Sequence, residues 1–202
     1  MNKSNDNYGM MICIEYIISK YYSNYSVRIK NHEDHRFMSS IPKSNTIYIS
    51  GNMKKHDISI YRYEEEKRRV ENILKMRIDY EEREIYVNNI GSMMNPECIM
   101  YMIEFGKCET VELDFEELEK EKVEKYINMM IKYMDNDKVK FSRKIRILKI
   151  NKYLVLSEEL KENRTIKKVY FNKVMREYKR ETLKQVEFEN IKYKKDIFIE
   201  YY

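Results

Sequence analysis

Apolar residues recur in the C-terminal part of the chain in one short pattern. It reads Ile145-x-x-Leu148-x-Ile150-x-x-Tyr153, then Ile166-x-x-Val169-x-Phe171-x-x-Val174, then Leu183-x-x-Val186-x-Phe188-x-x-Ile191. Positions 4 and 6 alternate, so both face the same side of a short strand. Positions 1 and 9 close the two ends of that apolar slot. Ile85, Val87 and Ile90 fill positions 4, 6 and 9 of an earlier copy, and Cys108, Val111 and Leu113 fill positions 1, 4 and 6 of another. Asp57–Tyr63 alternates with Ile58 and Ile60 inward and predicts a strand. With position 4 as the marker, the copies fall at 58, 85, 111, 148, 169 and 186. Their spacing of 17 to 37 residues is irregular.

Helical spacing separates several of these strands. Residues 4–22 predict a helix capped by Ser4 or Asn5, with Ile14, Ile17, Ile18 and Tyr21 as its stripe. Glu64–Arg77 predicts a second, acidic at its start and basic later, with Val70, Ile73 and Leu74 buried. Asn95-Pro96-Glu97 is a strong helix start, and Gly106 ends that helix after Ile99, Met102 and Ile103. Glu116–Met134 is the longest, burying Val123, Tyr126, Ile127, Met130, Ile131 and Met134. Ser157–Lys161 is a turn or two at most, and Asp196–Tyr202 a closing edge strand. The chain thus divides into an N-terminal capping helix (1–22), a long polar and basic loop segment (23–57) and a repeat domain (58–202). Within 23–57 only Thr46–Ile49 reads as a strand, and 31–45 has neither helical nor strand period.

The 1-4-6-9 skeleton resembles that of leucine-rich repeats. The resemblance covers about residues 57–202 and implies an α/β fold: a short, irregular leucine-rich-repeat-like solenoid of parallel strands with helical crossovers. It departs from the family at position 9, where Ile90, Tyr153, Val174 and Ile191 replace the expected Asn or Cys. It implies a binding surface built from the outward positions. Position 5 gives Tyr86, Glu112, Lys149, Tyr170 and Glu187, and position 7 gives Asn88, Asp114, Asn151, Asn172 and Glu189. Position 3 gives Glu84, Thr110, Ile147, Lys168 and Gln185.

Charge changes the picture, because the net +5 is unevenly spread. Residues 1–63 carry +4, residues 64–137 carry −9 and residues 138–202 carry +10. A basic third beside an acidic middle implies a polarised molecule with an anionic partner. Cations gather at strand starts and loops, where they would hold a nucleic-acid backbone without reading its sequence. The candidate partner-binding residues are Arg143, Lys144, Arg146, Lys149, Lys167, Lys168, Tyr170, Lys192, Lys194 and Lys195. To these the polar segment adds His35, Arg36, Phe37, Lys43, Lys54 and Lys55, with Phe37 placed to stack on a base.

His32 and His35 have only Glu33 and Asp34 near them, which reads as solvated histidines and not as a metal site. Cys13, Cys98 and Cys108 lie within apolar patterns and read as buried thiols. No Gly-rich phosphate loop, G-x-S-x-G or H-E-x-x-H occurs, so the expectation is no enzyme, no cofactor and no small-molecule substrate. No apolar run is long enough to span a bilayer, and Met10–Ile18, broken by Glu15, reads as a core helix; the expected location is cytoplasmic.

The chain has no Ala and no Trp, two Pro and four Gly, with abundant Lys, Ile, Asn and Tyr. This AT-rich bias resembles that of lineage-restricted proteins of microsporidia and of some large DNA viruses, and on the microsporidian resemblance a ribosome-bound dormancy factor. The expectation is a non-enzymatic factor on ribosomal RNA and ribosomal proteins, occluding a functional site. The alternative is a protein–protein adaptor or effector using the polar face.

Overall fold

Period-two alternation dominates the residues described in a computed structural model of the chain: 3–31, 42–88, 95–115, 118–135, 145–150, 166–174 and 196–201. In chain order the elements are α1 (Lys3–Ser19), β1 (Ser26–Asn31), β2 (Thr46–Gly51), β3 (Lys55–Glu64), β4 (Arg69–Asp79) and β5 (Glu84–Asn88). Then come α2 (Pro96–Gly106), β6 (Thr110–Asp114), α3 (Lys120–Asp135), β7 (Ile147–Ile150), β8 (Lys168–Val174) and β9 (Asp196–Tyr201). The nine strands form one sheet in sequential order. β1 pairs with β2 in parallel, β2 to β5 pair antiparallel, and every pairing from β5 to β9 is parallel.

Register explains why the sheet is continuous. Ile49, Ile58, Met76, Val87, Leu113 and Ile150 are successive cross-strand partners, and the row runs on through Phe171 and Ile199. A second row links Ile78, Ile85, Val111, Leu148, Val169 and Ile197. A one-residue slip in any strand would turn its apolar set to the other face, so these rows fix the register. All three helices cover this one face. Met11, Ile14 and Ile18 of α1, Ile99 and Ile103 of α2, and Val123, Ile127 and Ile131 of α3 join the sheet residues in one buried cluster. Each such side chain contributes about 1.5–3 kcal/mol.

A buried polar chain ties α1 to the sheet. Asn7 Nδ2 donates to the Gly51 carbonyl at 3.0 Å, which leaves Oδ1 to accept from His56 Nε2 at 2.9 Å. His56 Nδ1 lies 3.0 Å from the Tyr80 hydroxyl, so both ring nitrogens of the fully buried His56 have hydrogen-bond partners.

Several expectations are corrected. Glu64–Arg77 is not a helix: residues 65–68 turn, and β4 follows with Leu74, Met76 and Ile78 buried in alternation. Val70, Ile73 and Leu74 also satisfy helical spacing, but cross-strand partners on both sides of β4 favour the strand. The 58-to-85 step is therefore two successive hairpins, with no parallel crossover in it. The polar segment 23–57 holds β1, β2 and the start of β3; Val27 and Ile29 give β1 its alternation and are partly buried.

The strand that pairs with β8 is β9, while the pattern copy at Leu183–Ile191 and the turn at 157–161 lie outside the described residues. Asn95 caps α2 as expected, its side chain accepting from the Glu97 and Cys98 amides at 2.8 and 3.4 Å. At the other end the left-handed residue is Lys107 (φ 51°), not Gly106. Gly106 serves close packing, since an added Cβ would stand 2.7 Å from both Cys108 Sγ and Ile78 Cγ2. Cys98 and Cys108 are buried, but Cys13 is exposed on α1.

Candidate binding face

The face opposite the helices is the second product of strand alternation, and among the described residues nothing covers it. On its parallel half, Tyr86, Glu112, Lys149 and Tyr170 are successive cross-strand partners, as are Glu84, Thr110, Ile147 and Lys168. Among the described residues, positions 3 and 5 of the repeat pattern thus share one surface.

Their chemistry is internally satisfied. Lys149 Nζ lies 2.8 Å from Glu84 Oε1 and 3.6 Å from Glu112 Oε2. Partial burial opposes the ammonium charge, but the Glu84 hydrogen bond and the attraction of Glu84 and Glu112 outweigh it and raise the Lys149 pKa. The Tyr86 hydroxyl donates to Asp114 Oδ2 at 3.3 Å and accepts from Asn88 Nδ2 at 2.8 Å. Burial raises the Tyr86 pKa, Asn88 opposes the rise and Asp114 adds to it.

One border of the sheet runs along the starts of the parallel strands. Backbone bonds from Thr110, Ile147 and Lys168 to the carbonyls of Arg83, Glu109 and Arg146 stack these positions, with Lys167 next in line. Arg83 and Arg146 both approach Glu109, at 2.8 and 3.6 Å, so two cations share one carboxylate. Arg146 and Lys167 are exposed. Further along, Lys54 pairs with Glu81 and Lys55 with Asp79, at 2.8 and 2.7 Å. The Lys55 hydrogen bond and the Glu82 amide lower the Asp79 pKa.

The antiparallel half differs. Arg28, Tyr48, Ser59 and Lys75 are successive partners, as are Lys30, Ser50, Asp57 and Arg77. The Arg28 guanidinium stands 5.8 Å from the Tyr48 ring centroid. Tyr48 meets Tyr61 edge-to-face at 5.5 Å. Arg77 pairs with Asp57 at 2.7 Å. None of these residues stood among the expected ones, since the face exists only once β1 joins β2 and residues 69–79 form a strand. The signal available was the period-two run Val27, Ile29 and its cationic partners Arg28 and Lys30.

No family model matches this chain, and no curated protein or solved structure is significantly similar to it.

Of the expected site residues, the structure brings Arg146 and Lys167 to one border and Lys149, Lys168 and Tyr170 to the adjoining face; Lys54 and Lys55 lie at strand ends in ion pairs. Lys43 is exposed ahead of β2. His35, Arg36, Phe37, Arg143, Lys144, Lys192, Lys194 and Lys195 lie outside the described residues. Among the described residues no group of three or more His, Cys, Asp or Glu could hold a metal, and no helix is long and apolar enough to cross a membrane. Burial first, and neighbouring carboxylates second, push the Cys98 and Cys108 thiols up to about 12, so neither is a thiolate nucleophile near neutral pH.

Proposed function

We propose that the chain is a non-enzymatic, cytoplasmic accessory factor that docks on a large ribonucleoprotein, the ribosome first among them, and occludes a functional site there. The supporting observation is a border on which Arg83 and Arg146 share the carboxylate of Glu109 and exposed Lys167 is bonded through its backbone to Arg146. Cations at the starts of β5, β7 and β8 suit a phosphate backbone and carry no sequence preference. In this reading β5–β9 act as a short leucine-rich-repeat-like stack, with α1 covering the core at the sheet's first strands. The polar segment around Arg36 and Phe37 reaches into the occluded site.

Sedimenting a native extract tests it. The chain travels with ribosomes at low salt and leaves them as salt rises. Arg146→Glu with Lys167→Glu weakens association about tenfold or more, by removing two phosphate contacts. Unchanged co-sedimentation of that double variant contradicts the proposal. Deleting residues 31–44 costs inhibition of translation more than affinity.

A second reading has its own observation. The Tyr86–Asn88–Asp114 and Lys149–Glu84–Glu112 groups form a pre-satisfied face of mixed sign, suited to a protein ligand. An adaptor of this kind binds bulk RNA weakly at every salt concentration, which separates the two.

A further inference from the structure

The antiparallel half of the open face combines features that the parallel half lacks. Arg28, Lys30, Lys55, Lys75 and Arg77 face the carboxylates Asp57 and Asp79, an excess of three positive charges. Both carboxylates are engaged, Asp57 by Arg77 and Asp79 by Lys55. Arg28 and Lys75 are exposed. Between the cations lie the partly exposed rings of Tyr48 and Tyr61, with Arg28 held over the Tyr48 face.

We propose that the open face of β1–β4 is a binding platform for single-stranded RNA, with Tyr48, Tyr61 and the Arg28 guanidinium stacking bases while Lys30, Lys75 and Arg77 hold the phosphate backbone. This deepens the RNA-docking reading and rests on it, but places the contact on different residues. Four strands about 4.8 Å apart give a platform roughly 14 Å across, room for about two or three unstacked nucleotides. Stacking needs only a π face or a guanidinium plane, and tyrosine and arginine supply both here. Charge complementarity selects a polyanion. The rings select a single strand, because the bases of a duplex are already stacked on one another. Ser50 and Ser59 stand in register among the cations, in place to donate to or accept from a 2′-hydroxyl.

Fluorescence anisotropy of the full chain with a labelled, mixed-sequence single-stranded RNA of about ten nucleotides tests the site. The wild type binds, and affinity falls steeply with salt. Arg28→Glu and Lys75→Glu, both at exposed positions, each weaken binding about tenfold and flatten the salt dependence. Tyr48→Ala and Tyr61→Ala weaken it at least about fivefold while Tyr48→Phe and Tyr61→Phe, which keep the ring, bind as wild type. Equal affinity for duplex RNA overturns the stacking role, and equal affinity for single-stranded DNA overturns the choice of RNA. Wild-type binding by the two charge-reversed variants overturns the site. Oligonucleotide binding without ribosome association supports this platform and rejects the ribosomal reading; association without oligonucleotide binding does the reverse.

Discussion

The antiparallel strands β1–β4 and the parallel strands β5–β9 share one core yet present two different surfaces. One apolar row, from Ile49 through Met76 and Val87 to Ile150, passes beneath both and joins them in one core. Above it, the front half carries excess positive charge and tyrosine rings, while the rear half spends its charges on one another through Lys149, Glu84 and Glu112. Core alternation sets the architecture, and the opposite phase of the same alternation is left to specify the partner. A surface already satisfied within itself gains little from a polyanion; a surface with surplus cations gains much.

The widest-reaching way to break this comparison is Ile78→Ala. Ile78 stands at the seam, paired with Ile85 and touching the Gly106 backbone's neighbourhood. The cavity costs about 2–5 kcal/mol, and urea unfolding shows both halves lost in one transition. Separate transitions for the two halves would mean two cores.

Next in size is Asn7→Leu, which strips His56 Nε2 and the Gly51 carbonyl of buried partners. It costs about 1–3 kcal/mol, and hydrogen exchange shows α1 amides opening while β6 and β7 stay protected.

Acid sharpens the contrast. Arg69 first and Lys67 second hold the Glu64 carboxyl down to about 2 from an ordinary 4.5, and Lys55 lowers Asp79. Both are front-half groups with depressed folded values. Their contribution is complete above the unfolded values and disappears as pH falls through the folded ones. Amides of β3 and β4 therefore lose protection before those of β6 and β7 between about pH 4.5 and pH 2. Lys149, with its raised value, behaves oppositely: its contribution is complete below the ordinary 10.5 and disappears at higher pH. The smallest effect is Lys54→Ala, an exposed pair with Glu81, at under about 0.5 kcal/mol by thermal melting.

How legible the fold was depended on how local each signal is. Asn95-Pro96 marks α2 within three residues, and the α3 stripe from Val123 to Met134 declares itself over about three turns. β5 and β6 were legible because their alternation fits no helix. β4 was not: Val70, Ile73 and Leu74 fit helical spacing, and the Glu-to-Arg gradient mimics a helix dipole. Its flanking turns place Arg68 (φ 48°) and Arg83 (φ 54°) in the left-handed region, where no Gly or Asn announced them. β1 has only Val27 and Ile29 to show and needs β2 as a partner. The rear binding face followed from the repeat pattern, whereas the front face depends on a row of successive pairings from Arg28 through Tyr48 and Ser59 to Lys75, which local spacing does not encode.

Mapping RNA contacts on isotopically labelled protein tests the central claim most directly. Titration with a short single-stranded RNA should shift the resonances of Arg28, Tyr48, Tyr61 and Lys75 and leave α1–α3 silent. Shifts gathered on the exposed α1 residues Tyr8, Ile12 and Tyr16, or none on β1–β4, would contradict it.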